Sequence, residues 1–101
     1  MGVTTKLSSE TGRVTIEVSG RFDFETHQEF SQAYRQYPKG DRTYLVDLSG
    51  ADYIDSSALG MLLQLRDHSD KSTGGVVLAN GNHGVREILR MANFDKLFEI
   101  V

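Results

Sequence analysis

Cysteine is absent from the 101-residue sequence, so disulfide frameworks, thiolate metal sites and cysteine nucleophiles are excluded. An excess of one charge is also missing, because the formal net charge is only −3 and both signs are scattered along the chain. The sequence therefore lacks the basic footprint of a nucleic-acid-binding protein and any polybasic membrane patch. Its most apolar run, Ala58 to Leu65, is far shorter than the roughly 20 residues of a membrane span.

The N-terminus shows no signal-peptide pattern, because Met1 to Glu10 is polar and has no apolar core segment. We therefore expect a cytoplasmic protein. Hydrophobic residues make up 39% and charged residues 25% of the chain, which is a globular balance. The length suits one small domain with one core, so residues 1–101 are predicted to form a single domain.

Strand and helix patterns alternate along the chain after an opening hairpin that turns at Glu10 to Gly12. A second break is predicted at Gly74 and Gly75. Predicted strands cover residues 3–8, 13–20, 42–49, 76–79 and 97–101, and predicted helices cover 24–37, 56–68 and a segment that follows a cap at Asn82. This order predicts an α/β fold, with a mixed β-sheet of about four to five strands and three to four packed helices.

A strand-to-helix junction holds Asp55, Ser56 and Ser57. Aspartate and serine are preferred at a helix N-cap, because their oxygens accept hydrogen bonds from amides that the first turn leaves unpaired. The N-terminus of a helix also carries partial positive charge, so a phosphate on either serine would be stabilised there. These residues alone are compatible with two interpretations, a simple cap and a modification site.

The predicted helix over 56–68 is apolar on two faces, which is more than a small domain usually buries. One face is expected to pack on the sheet, and the other is expected to be partly exposed and to dock a partner. The predicted core face consists of Leu59, Leu62 and Leu63, and the predicted docking strip consists of Ala58, Met61 and Leu65.

The hexapeptide Asp55-Ser56-Ser57-Ala58-Leu59-Gly60 closely resembles the Asp-Ser-Ser-Gly/Ala-Leu/Ile-Gly signature of anti-sigma factor antagonists, the STAS-domain family. Gly20-Arg21-Phe22-Asp23 with Thr26 is similar to the Gly-x-Leu-Asp-x-x-Thr stretch of that family. Residues 42–49, 74–77 and 85–98 resemble its central strand, its later Gly-Gly strand and its closing helix. Ala58 stands where glycine is common in the signature, and Phe22 stands where an aliphatic residue is usual.

The resemblance implies a bacterial partner switch. In that family the unphosphorylated antagonist binds an anti-sigma factor, which is also an ATP-dependent serine kinase, and so releases the sigma factor. Phosphorylation of the first signature serine, here Ser56, ends the binding, and a metal-dependent serine phosphatase resets the switch. The antagonist itself is expected to be no enzyme and to need no cofactor, since ATP and Mg²⁺ belong to the kinase.

The resemblance also implies docking residues. Asp23 and Thr26 carry over from the second motif, and Asp55 and Ser57 flank the phosphorylated serine. The full set of partner-binding residues predicted from the sequence is Asp23, Thr26, Asp55, Ser57, Ala58, Leu59, Met61 and Leu65. We expect no nucleic acid or membrane partner, and a monomer when the chain is free.

Other functions remain open on the sequence. An enzyme could use Ser56 or Ser57 as a nucleophile, although no Gly-x-Ser-x-Gly elbow is present. A STAS module could also serve an anion transporter, sense a nucleotide or feed an output other than a sigma factor. The histidines have no metal-ligand spacing, and His68 and His83 are expected on the surface.

Overall fold

The computed structural model describes residues 2–73 and 75–101, which form a five-stranded sheet with strand order β1-β2-β3-β4-β5. The strands are β1 (Gly2–Leu7), β2 (Val14–Phe22), β3 (Tyr44–Ile54), β4 (Val76–Ala79) and β5 (Glu99–Ile100). The helices are α1 (His27–Arg35), α2 (Ser56–His68) and α3 (His83–Met91), and short 3₁₀ turns lie at Phe24–Thr26, Lys71–Thr73 and Phe94–Lys96. Strand β1 pairs antiparallel with β2 and all other pairs are parallel, so the predicted mixed α/β fold is confirmed.

The core lies on one face of this sheet. Each parallel connection moves the chain one strand further in the same direction, and right-handed crossovers then place all three helices on the same side. Alternate strand residues and the buried faces of the helices accordingly form one cluster, in which Ile16, Val46, Phe30, Leu62 and Leu89 are fully buried. The other face of the sheet carries half-buried side chains such as Glu17 and Asp47.

Helix α2 has the predicted bounds, but its apolar faces are reversed. Its buried residues lie at i, i+3, i+4 and i+7, and they are Ala58, Met61, Leu62 and Leu65. The expectation that Ala58, Met61 and Leu65 are exposed is therefore wrong. Leu62 is in the core as predicted, Leu59 is only partly buried, and Leu63, predicted to be core, is 41% exposed.

The rotation of α2 follows from its start. Ile54 is buried at the end of β3, and Asp55 directly after it accepts the Ala58 backbone N–H in a 2.9 Å hydrogen bond. This cap fixes which residues of the first turn point at the sheet. Two apolar stripes are available in the sequence, and the tertiary anchor decides between them.

The remaining differences concern element ends. Strand β3 continues to Ile54, five residues beyond the predicted end at Ser49, because its second half pairs with residues 19–22 of β2 across two register shifts. Helix α1 begins at His27 after a 3₁₀ turn, and β5 is shorter than predicted. The predicted cap at Asn82 is confirmed, since its side chain accepts the Val85 N–H. Gly74 of the predicted break lies outside the described residues.

Candidate functional site

The site lies where the carboxyl ends of β2 and β3 meet. Arg21 pairs with Tyr53 and Phe22 pairs with Ile54, so the loop after β2 runs beside the start of α2. The Asp55 backbone N–H donates to the Phe22 carbonyl at 3.3 Å and ties the two segments together. The carboxyl ends of parallel strands are the usual place for binding sites in α/β sheets.

Ser56 is the first residue of α2, and its side chain is exposed, whereas Ser57 is half-buried. Asp55 provides the cap, so neither serine is needed for that role. The Ser56 hydroxyl makes no hydrogen bond to any residue of the ranges 2–73 and 75–101. The fold therefore leaves this hydroxyl available to another molecule.

Asp23 and Thr26 both follow the end of β2 but have different surroundings. Asp23 accepts the Glu25 backbone N–H at 3.0 Å and forms an ion pair with Arg21, with 3.4 Å between Oδ2 and Nε. Thr26 is fully buried, and its hydroxyl donates to the Arg21 carbonyl at 3.0 Å. The Thr26 side chain thus holds the turn that presents Asp23, and its direct contact with a partner stays a prediction.

A cleft of about 500 Å³ separates the two segments. Its lining residues are Arg21, Asp23, Phe24, Glu25 and Asp55, which place three carboxylates against one guanidinium. A phosphate added beside this cleft would join a surface that is already acidic.

Two aromatic side chains flank the cleft. Phe24 is 70% exposed and stacks on His27, with 5.8 Å between ring centroids. Tyr53 is exposed and lies under the Arg21 guanidinium, 4.1 Å from the ring centroid. Sequence reasoning missed both aromatics and Arg21. The sequence does contain a signal for Phe24, because this aromatic residue follows Asp23 directly. The strand has ended at that point, so the sheet offers no buried position for the side chain.

The structure thus sorts the predicted docking residues into two layers. In the outer layer Ser56 is exposed, and Asp23, Asp55, Ser57 and Leu59 are half-buried, with Asp23 and Asp55 lining the same cleft. Beneath this layer lie the buried side chains of Thr26, Ala58, Met61 and Leu65.

The opposite end of α2 is packed rather than open. His68, expected on the surface, is half-buried, and its Nε2–H donates to the Tyr37 carbonyl at 2.8 Å. Its ring contacts Tyr34, with 5.0 Å between centroids, and borders a groove of about 670 Å³. Tyr44 lies nearby, and its own burial raises the pKa of its hydroxyl to about 12. The surface expectation for His68 is wrong because α2 ends against α1 and not in solvent.

Within the described part of the chain, no three histidine, aspartate or glutamate side chains are grouped so as to hold a metal ion. None of the helices in the described residues is both long and apolar enough to span a bilayer.

Solved structures share this fold. An anti-sigma factor antagonist from Mycobacterium paratuberculosis superposes with a TM-score of 0.75 at 22% identity, over 98% of this chain and 85% of that one. The Bacillus protein SpoIIAA has been solved in unphosphorylated and phosphorylated forms. Both forms superpose with a TM-score of 0.65 at 18% identity over 99% of this chain, and over 87% and 91% of theirs. The chain is therefore a small α/β domain with the SpoIIAA-like fold.

Sequence comparison gives the family. The family model described as "Mlab, STAS domain" matches residues 5–101. A STAS-domain containing protein of Pseudomonas aeruginosa (strain UCBPP-PA14) is 47% identical over 100 residues, which cover 99% of each chain. The chain belongs to the STAS-domain family, as the resemblance of its signature hexapeptide predicted.

Proposed function

We propose that this protein is an anti-sigma factor antagonist of a bacterial partner switch in the cytoplasm, controlled by phosphorylation of Ser56. The observation that carries the proposal is the exposed Ser56 hydroxyl, which the fold does not use, at the start of a helix already capped by Asp55. Ser57 is less accessible, which supports Ser56 as the acceptor.

The chemistry of the switch belongs mainly to the partners. The kinase, which is also the anti-sigma factor, transfers the γ-phosphoryl group of its ATP to Ser56 Oγ, with Mg²⁺ held in the kinase. ADP leaves, and the hydroxyl proton passes to a base of the kinase. A metal-dependent phosphatase later hydrolyses the phosphoserine with water, which restores the hydroxyl and releases inorganic phosphate.

The electrostatics of the site support binding by the unmodified form. Asp23, Glu25 and Asp55 already surround the cleft, and a phosphate adds about −1.5 to −2 charge. In water this charge is well solvated. In a closed interface it must lose its hydration while facing the same carboxylates, which costs far more. The phosphorylated form is therefore expected to dissociate from the kinase.

Phosphopeptide mass spectrometry tests the acceptor assignment. The protein is incubated with ATP, Mg²⁺ and purified anti-sigma-type serine kinases from the same genome. Label is expected on Ser56, absent from Ser56→Ala and retained in Ser57→Ala. Label mainly on Ser57, or no label with any of these kinases, would contradict the proposal.

Binding calorimetry tests the switch itself. Ser56→Ala should bind the kinase as the unmodified protein does, and Ser56→Asp should bind more weakly. Equal affinity of the two variants would show that charge at residue 56 does not control binding. The protein released from the kinase identifies the output, a sigma factor or another regulator.

The rival role of Ser56 as an enzymatic nucleophile has less support. In the described part of the chain no histidine is hydrogen-bonded to the Ser56 hydroxyl, as an activating base would be. An activated ester should therefore leave Ser56 unacylated, and acylation that Ser56→Ala abolishes would favour an enzyme.

A further inference from the structure

The two edges of the sheet differ in how well they are protected. Strand β5, at one edge, has two residues and is too short to template another strand. Strand β1, at the other edge, has six residues, and its register with β2 runs from Gly2 to Leu7 without a bulge. It contains no proline, and Lys6 is its only charged residue. Strand β1 therefore lacks most of the features by which proteins keep an edge strand from pairing with another chain.

The hydrogen-bond pattern of the hairpin shows which groups of β1 point outward. The Ser8 N–H donates to the Arg13 carbonyl at 2.9 Å, so Ser8 bonds towards β2. In an antiparallel pair every second residue bonds to the neighbouring strand. Counting back from Ser8, the N–H and C=O groups of Val3, Thr5 and Leu7 therefore point out from the edge. No other strand of residues 2–73 and 75–101 pairs with them.

The side chains of these three residues lie on the helix side of the sheet. Val3 is paired with the core residue Val18 and packs against the core, and Thr5 and Leu7 share its face. Leu7 is 46% exposed. A strand added at this edge would cover an apolar side chain that β1 leaves at the rim of the core.

The opposite side of the sheet carries a carboxylate that leans over β1. Thr4 Oγ1 donates to Glu17 Oε1 at 2.7 Å, and Lys6 Nζ lies 3.6 Å from Glu17 Oε2. Glu17 is also in register with Asp47 of β3, so two carboxylates lie side by side on neighbouring strands. Like charges in this arrangement repel each other, and a further cation at the edge would be favourable.

We propose that this edge binds a second copy of the chain, with the two β1 strands antiparallel about a twofold axis at Thr5. The outward groups then oppose one another, so that Thr5 faces Thr5 of the second copy and Val3 faces its Leu7. Each of these pairs exchanges two backbone hydrogen bonds, and the two five-stranded sheets become continuous. This dimer replaces the free monomer expected from the sequence, and it does not depend on the proposed function.

The same register makes the edge complementary to itself in charge. Lys6 faces Thr4 of the second copy, and Glu17 of that copy lies one strand further, with about 10 Å between the Cα atoms. A lysine and a glutamate on one face of a sheet span that distance, and Glu17 already leans towards the edge. The twofold axis repeats the contact, so the interface contains two such ion pairs.

Sedimentation velocity in low salt, at protein concentrations up to about 1 mM, tests the dimer. The wild-type protein should dimerise. Thr5→Pro should stay monomeric with an unchanged circular dichroism spectrum, because the ring blocks the approaching strand and replaces an N–H that the chain itself does not use. A wild-type protein that is monomeric over the whole range would overturn the proposal.

Charge reversal tests the register. Lys6→Glu alone, or Glu17→Lys alone, places like charges at both contacts and should weaken the dimer roughly tenfold. An equimolar mixture of the two variants should restore it, because each contact across the axis then joins a glutamate to a lysine, although the charges within each chain still repel. Lys71→Glu makes the same change of charge at an exposed ion pair after α2, and should leave dimerisation unchanged.

The mixture separates contacts between copies from contacts within one chain. If it associates no better than either variant alone, the charges act only within a chain and the proposed pairing is overturned. A dimer that both Thr5→Pro and Lys6→Glu leave intact would also overturn it, because association would then use another surface.

Discussion

The two ends of helix α2 are built for different purposes. At its N-terminal end the Ser56 hydroxyl has no partner among the described residues, and an open cleft and an exposed Phe24 lie nearby. At its C-terminal end His68 donates to the Tyr37 carbonyl at 2.8 Å, and the Arg66 Nε–H donates to the Leu97 carbonyl at 2.9 Å. Side chains at one end bind the rest of the fold, and those at the other end remain available.

This difference separates stability from the proposed function along a single helix. A docking site needs groups that the free protein leaves unsatisfied, and such groups contribute little to folding. The stabilising contacts are concentrated at the C-terminal end of α2, which is far from a charge added to Ser56. The arrangement therefore predicts that substitutions at the two ends have separable effects, and the predictions below test that separation.

The largest expected effect on stability is at the C-terminal end. His68→Ala removes a hydrogen bond and packing against Tyr34, and should lower the free energy of unfolding by about 2–3 kcal/mol. Urea denaturation measures the loss. His83→Ala, at an exposed position, is the control and should change stability by less than about 0.5 kcal/mol. A loss for His68→Ala no larger than that for His83→Ala would show that this contact does not stabilise the C-terminal end of α2.

A smaller effect is expected from the cap at the N-terminal end. Asp55→Ala removes the acceptor of the Ala58 N–H and should cost about 1 kcal/mol of folding free energy. Asn82→Ala removes the equivalent cap of α3 and should cost a similar amount. Only Asp55→Ala should also change kinase binding in calorimetry. If both variants reduce binding equally, general destabilisation and not the position of Asp55 is responsible.

Phosphorylation itself should alter stability still less. A phosphate at the start of α2 gains about 0.3–1 kcal/mol from the helix dipole, and repulsion from Asp55 is of similar size when both are solvated. The free energy of unfolding should stay within about 1 kcal/mol of the unmodified value. Amide NMR spectra should shift only near Ser56 and the segment around Asp23. Shifts that reach β5, or a change of many degrees in melting temperature, would indicate a conformational mechanism.

The smallest effect concerns acid titration at the C-terminal end. A hydrogen bond and the charge of Lys39 hold the pKa of Asp67 below its ordinary value, and Lys71 adds to this. A lowered pKa in the folded state means that the pair stabilises the fold above about pH 4 and that this contribution is lost as the pH falls. Asp67→Asn should flatten that part of the pH dependence.

Melting curves at several pH values between about 3 and 6 measure the effect of Asp67→Asn. The difference from wild type should shrink in about 1 M salt, because the groups are exposed and screened. If the difference between Asp67→Asn and wild type persists in high salt, the ion pair is not screened by solvent and acts as a buried stabilising contact.

Much of the fold follows from local pattern. Alternation in residues 14–18, the caps at Asp55 and Asn82 and the apolar run of β4 each specify an element by short-range physics, and the structure confirms them. The position of Ser56 at a helix start is local in the same sense. It depends only on Asp55 and on the residues that follow.

Tertiary structure decided what these local patterns left open. Whether Met61 or Leu63 is buried depends on the rotation of α2 about its axis, which the junction with β3 sets. Thr26 is buried, with its hydroxyl bonded to the Arg21 carbonyl at the end of β2, whereas the Phe24 side chain remains exposed. The sequence by itself determined the elements and the place of Ser56 at a helix start, since capping and periodicity act within a few residues. Only the packed sheet determined which neighbours face solvent, because burial depends on residues distant in the chain.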